Sequence, residues 1–349
     1  PQIQKNLVQI QRDQSVKEQL YFLLLQKREE SAITLASTIP DSRSIEKPRS
    51  IGIVSPKTTL ILAIAFLLGL LIPIGIIYLI NLLNNKIESK DEVEQKCKAP
   101  LLGEISYVKK EASPIVVQKG SRSIVAEQFR VIRTNISFTR PGHSPVLVTA
   151  DRPGEGMSFV RLTLAASYAL LNKKVVVLEF DLRKPRLSAA LNIHSEAGIS
   201  NYLAGGTVAI DNILHEVDGF EQRFWLLPTG PIPPNPAELI LGDKMKQLMQ
   251  ELHKRFDYII LDTPPYGLVT DSSLLATFAD ISVVVLRQGF TFNWVLQELN
   301  KKLADNPTQS QYTVLNRVGE KGRYGSYKHY GYGYTEYFDT PQKKKGWWK

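Results

Sequence analysis

Residues 60–80 run from Leu60 to Ile80 without a single charged side chain, and no other feature constrains the chain so tightly. At about 1.5 Å per residue such a helix matches a hydrocarbon core of about 30 Å. A soluble fold would have to bury it on every side, which is the rarer outcome. A transmembrane helix is therefore expected over 59–83, with Pro73 and Gly75 as points where it can kink. Flanking charge does not orient it, because Arg43, Lys47, Arg49 and Lys57 on one side match Lys86, Lys90, Lys96 and Lys98 on the other.

Before the span, Ile3, Leu7, Ile10, Val16, Leu20, Leu23 and Leu24 recur at helical, loosely heptad-like spacing. Pro40, Pro48 and Pro56 then mark an extended connector. The chain opens in mid-helix without an initiator Met, so an upstream region with a first membrane span is expected.

After the span, residues 145–158 form an apolar strand that runs into a glycine-containing turn, followed at once by a helical pattern over 159–171. Backbone N–H groups in such a turn, with the positive end of the helix, make a cradle for polyphosphate. Gly154 and Gly156 let the main chain approach the anion, and Ser158 is placed to offer a hydroxyl to Mg²⁺. A P-loop carries Lys before that Ser; here the position holds Met157. A Gly-Glu-Gly turn alone is more often a plain tight turn. Two further strands add weight: residues 175–183 end in Glu179 and Asp181, and residues 258–265 carry Asp262. In a parallel sheet the strand carboxyl ends share one crevice, so Asp181 and Asp262 should converge on the loop.

Candidate strands at 145–150, 174–180, 223–228, 257–262, 281–287 and 311–316 alternate with helical patterns, which predicts an α/β fold with a P-loop, doubly wound, mostly parallel sheet. Asn235, Pro236 and Glu238 predict a helix start with a capping box.

These motifs resemble the bacterial tyrosine autokinases (BY-kinases) of capsule and exopolysaccharide export, whose Walker A, A′ and B elements are similar to residues 150–158, 178–183 and 259–265. The resemblance extends over residues 1–349 and implies a domain order: end of a periplasmic co-polymerase helix and connector (1–58), transmembrane helix (59–83), cytoplasmic linker with 100–105 packed beneath the domain (84–120), kinase domain (121–318) and flexible tail (319–349). ATP is cytoplasmic, so the chain would sit in the bacterial inner membrane with residues 1–58 periplasmic.

For the site, the resemblance implies ATP and Mg²⁺. Main-chain amides of Gly154, Glu155 and Gly156 would cradle phosphate with Phe159 beside them, and Ser158, Asp181 and Asp262 would hold the metal. Glu179 occupies the position from which a base for the tyrosine hydroxyl is often proposed. Arg152 corresponds to a lysine that crosses to a partner's nucleotide in dimeric ATPases, and Asn316 to an adenine contact. Glu127, Arg130 and Arg133 would read from spacing alone as a solvated, salt-bridged helix face; by resemblance they form the motif that joins kinase domains into a homo-oligomeric ring.

Tyr324, Tyr327, Tyr330, Tyr332, Tyr334 and Tyr337 lie among glycines with no apolar face to bury. Joined to a P-loop domain they read as phosphoacceptors presented to a neighbouring subunit. Lys343–345, Trp347 and Trp348 add a basic, interfacial terminus. The formal net charge of +9 is assigned to the membrane, since no nucleic-acid module is visible. Further partners implied are a phosphotyrosine phosphatase and an outer-membrane export channel. A lone Cys97 permits no internal disulfide.

Met157 has nearly the length of Lys but no charge, so a loss of roughly a thousandfold or more in turnover is expected. Two histories fit, a Lys→Met exchange in an active kinase or a natural pseudokinase, and the intact neighbouring pattern favours the first. The rival functions are a partition-type P-loop ATPase and a structural co-polymerase subunit with an inactive module.

Overall fold

The computed structural model describes residues 2–37, 56–108, 114–121, 123–140, 145–267, 270–305 and 310–319. The six expected acceptor tyrosines and the connector prolines Pro40 and Pro48 lie outside the described residues. The chain divides into two units, 1–78 and 79–349.

In the first unit, α1 (Gln2–Ser37) is a continuous helix on which every described side chain is exposed, the apolar series from Ile3 to Leu24 included. Most of α2 (Thr58–Leu83) belongs here too, and Pro73 is accommodated inside it. Its stretch Thr58–Ile80 is long and apolar enough to cross a membrane, with none of its residues buried.

The second unit is built on an eight-stranded sheet of β1 (Leu101–Ser106), β2 (Pro145–Ala150), β3 (Val175–Glu179), β4 (His215–Glu216), β5 (Phe224–Leu227), β6 (Tyr258–Asp262), β7 (Ile281–Arg287) and β8 (Ser310–Val318). The order is β1-β8-β7-β2-β6-β3-β5-β4. Neighbours pair parallel except β4 with β5. Period-2 alternation assigns the faces. Val146, Val148, Val175 and Val177 pack with α4 (Ile124–Thr139) and α5 (Met157–Ala169), whereas Leu147, Val176 and Leu178 meet the helix Asp243–Arg255. A sheet covered on both sides explains why its central strands are apolar throughout.

The segment expected to be a linker is in part a structural element of this unit. Its short helix α3 (Lys90–Lys96) is capped by Ser89, and Ile87 and Val93 are fully buried against β7 and the helix Trp294–Asp305. Residues 100–105 were expected beneath the domain; the edge strand β1 instead runs through them, pairing Leu101 with Thr313 and Ile105 with Asn316. A second correction concerns Asn235: Pro236 does open the helix Pro236–Leu241, but the Asn235 side chain makes no capping hydrogen bond.

Candidate active site

Parallel pairing brings the three motifs to one end of the sheet. Val148 of β2 is in register with Asp262 of β6, and Asp262 with Glu179 of β3. The loop therefore leaves β2 beside Asp262, and Asp181 follows β3 on the other flank.

Gly154 and Gly156 both adopt φ of +96°, a region that costs a residue with a Cβ about 1 kcal/mol or more. Gly156 caps α5, and the Val160 amide bonds its carbonyl at 3.1 Å. The N–H groups of Met157, Ser158 and Phe159 precede that bond and have no intrahelical carbonyl to meet. They give the loop its affinity for an anion.

The loop is braced from inside. Glu155 is fully buried, and its carboxylate accepts from the Asp151 amide at 2.9 Å, the Arg152 amide at 3.3 Å and the Thr291 hydroxyl. Burial pushes its pKa up to about 7, against these hydrogen bonds. Asn316 Nδ2 donates to the Glu155 carbonyl at 2.8 Å, and Asn316 Oδ1 accepts from the Arg317 amide at 2.9 Å. Asn316 is thus a buttress of the loop, spent on the protein's own backbone, where an adenine contact was expected.

Arg152 is also held within the chain. Its guanidinium lies 4.3 Å from the Phe292 ring centroid and 5.2 Å from that of Phe290, with Nε 3.5 Å from an Asp151 oxygen. Any reach toward a neighbour would first require leaving this aromatic pair. Phe159, expected beside the nucleotide, packs edge-on against Phe129 of α4 at 5.6 Å.

Of the carboxylates, Glu179 is fully buried and accepts from the amides of Leu187 at 2.6 Å, Ser188 at 3.1 Å and Thr229 at 3.2 Å. It is an anchor for the chain after β3, with three of its acceptor sites taken by main-chain amides. Asp181 is half-buried and accepts from the Lys184 amide at 3.0 Å. Desolvation raises its pKa, opposed by that amide and by Arg161.

Asp262 is buried and forms an ion pair with Arg161, itself 3% exposed. The expected metal set of Ser158, Asp181 and Asp262 therefore meets a carboxylate already matched by a guanidinium. Among the described residues no group of three or more His, Cys, Asp or Glu side chains gathers as a metal site. The loop fits polyphosphate; on the acidic side Asp262 faces the Arg161 guanidinium, whose charge opposes a second cation there.

On α4, Arg130 pairs with Glu127 and donates to the Ser121 carbonyl at 3.0 Å, while Arg133 donates to the Ser167 carbonyl in the last turn of α5 at 2.5 Å. All three residues of the expected ring motif thus have partners in their own chain.

The comparisons agree with this architecture. Residues 2–82 match the GNVR family, described as a G-rich domain on putative tyrosine kinase. The tyrosine-protein kinase wzc of Salmonella typhimurium is 28% identical over 359 residues, 97% of this chain and 49% of that protein. The chain is thus similar over nearly all of its length to a bacterial tyrosine-protein kinase. The tyrosine-protein kinase etk of Escherichia coli is 27% identical over 83% of this chain and 43% of its own length. The chain thus spans about half the length of the curated relatives it matches. Among solved structures, the chimerical protein CapA2B2 aligns with a TM-score of 0.59 at 29% identity, covering 66% of this chain and 99% of that one. The kinase domain of E. coli ETK aligns at 0.60 and 24% identity, over 69% of this chain and 99% of that domain, a likeness of fold.

Arg161 is the site residue that sequence reading missed. Its signal was present: residues 159–171 read Phe-Val-Arg-Leu-Thr-Leu-Ala-Ala-Ser-Tyr-Ala-Leu-Leu, an apolar helix with one charge. A charge on a helix with no polar face must have a buried partner.

Proposed function

We propose that this chain is a membrane-anchored protein of the tyrosine-kinase type whose α/β domain binds ATP at the Gly154–Gly156 loop and whose Tyr-rich terminus, residues 319–349, is the phosphoacceptor of a neighbouring subunit. The register that sets Val148, Asp262 and Glu179 side by side at the mouth of α5 carries the reading. The α2 helix anchors the domain at the inner membrane, with residues 1–58 on the periplasmic side. A ring joined through Glu127, Arg130 and Arg133 then regulates capsular or exopolysaccharide polymerisation and export, together with a phosphatase and an outer-membrane channel. Cycles of tail phosphorylation, each adding about −1.5 to −2 charges, open and close the ring.

In-line transfer to a tyrosine hydroxyl requires positioning of the acceptor and positive charge at the transferring phosphoryl. The loop amides and the α5 N-terminus hold the phosphates. Asp181 is the carboxylate with an exposed edge, and we assign it to the acceptor hydroxyl. At position 157 the thioether offers no charge, so turnover is low. The neutralised Asp262 favours a second reading, in which nucleotide binding serves assembly of a structural co-polymerase subunit.

The test is the melting temperature of the full chain in detergent with and without ATP, with Gly156→Ala as control. An ATP-induced rise that Gly156→Ala abolishes supports the ATP site. Indifference to ATP in both proteins sinks it.

A further inference from the structure

Arg161 stands one helical turn beyond Met157 in α5, and its guanidinium is held by two main-chain carbonyls and faces Asp262. Val148 O accepts from Nε at 3.0 Å and from Nη2 at 2.7 Å, and Thr263 O accepts from Nη2 at 2.6 Å. Asp262 pairs with Nη1, and the Met157 sulfur accepts from Nη2 at 3.4 Å. Helical side chains lean toward the N-terminus of their helix. An arginine at 161 therefore returns its charge to the layer directly beneath the loop.

The identity of residue 157 follows from that placement. A lysine there would bring a second cation into the region where Arg161 already lies, with the Asp262 carboxylate already engaged. Like charges at such a separation repel strongly where water is excluded. Methionine, neutral and polarizable, tolerates the contact. A guanidinium keeps its charge inside proteins.

We propose that Met157 and Arg161 are a matched pair that withdraws Asp262 from metal binding, so that the loop takes a nucleoside polyphosphate without help from Mg²⁺. The proposal rests on the reading of the loop as an ATP site and deepens it. It also revises the expected history of position 157: a lone Lys→Met exchange in an active enzyme would not supply the buried guanidinium, whereas the two residues together suit a chain shaped without the lysine.

The experiment is ATP titration of the full chain in detergent, by calorimetry, in Mg²⁺ and in EDTA. The parent chain should bind ATP equally in the two buffers, within about threefold. Freeing the acidic side with Arg161→Ser in a Met157→Lys background should restore a preference for Mg²⁺ of about tenfold or more. That double variant, and not Met157→Lys alone, should gain phosphotyrosine by intact-mass analysis after incubation with Mg-ATP. Tight binding by the parent only in Mg²⁺ overturns the proposal, as does full phosphorylation of Met157→Lys alone. Should the double variant fail to fold, the parent titrations in Mg²⁺ and in EDTA decide. Absence of ATP binding by any of the proteins removes the ATP-site reading itself, and this inference with it.

Discussion

The Nη2 of Arg161 lies 3.4 Å from the sulfur of Met157, and the same guanidinium neutralises Asp262. A buried ion pair of this kind adds little net stability over an apolar pair of the same shape, yet removing one partner strands the other. Arg161→Ala should therefore destabilise the domain by about 3–5 kcal/mol. Joint replacement by Arg161→Met and Asp262→Leu should recover most of that loss, since both charges leave together. Thermal melting of the three proteins measures the difference, and equal melting of Arg161→Ala and the parent would contradict the ion pair.

A Cβ on Gly156 would clash with Asn316 Nδ2, and the residue holds φ at +96°. Gly156→Ala must displace the amide that braces Glu155 and strain the backbone as well. The expected cost is about 1–3 kcal/mol, with loss of ATP binding. Adding Asn316→Ala relieves the clash, not the φ strain, so the double variant should regain part of the melting temperature and none of the nucleotide response.

How much of this was legible from residues depended on whether the decisive partner was close in sequence. Strand β2 falls on the expected residues because its apolar run ends at a turn that local chemistry dictates. Strand β1 was missed because its burial alternates irregularly and its pairing partner, β8, is about two hundred residues away. The α5 start and its two positive-φ glycines were readable from Gly-Glu-Gly alone. Whether Glu179 served as base or anchor was not, since three amides from two distant segments decide it.

Glu155 makes the loop sensitive to pH. With its pKa raised from 4.5 to about 7, the folded state holds a proton that the unfolded chain has released. Its contribution is fully present below about pH 4.5 and is lost as pH rises through about 7. Glu155→Gln keeps an oxygen for the amides of Asp151 and Arg152 and an NH₂ for Thr291, without the charge. The variant should match the parent near pH 5 and exceed it at pH 8 by on the order of 1–3 kcal/mol. Melting curves across that range check the sign, and a parent that gains on the variant as pH rises would refute it.

Glu179 separates an anchoring role from a catalytic one. Its Oε1 accepts from Leu187 and Ser188 and its Oε2 from Thr229, so the carboxylate ties the segment that carries Asp181 to the chain after β5. Glu179→Ala leaves buried N–H groups unsatisfied, at about 1–3 kcal/mol each before any relaxation. Glu179→Gln retains one oxygen for Leu187 and Ser188 but turns an NH₂ toward the Thr229 amide, so a smaller loss, about 1–2 kcal/mol, is expected. Faster hydrogen exchange at the amides of Leu187, Ser188 and Thr229 should accompany both. A Glu179→Gln protein that melts and exchanges like the parent, while the kinase-restored double variant carrying it loses phosphorylation, would instead establish this carboxylate as the base.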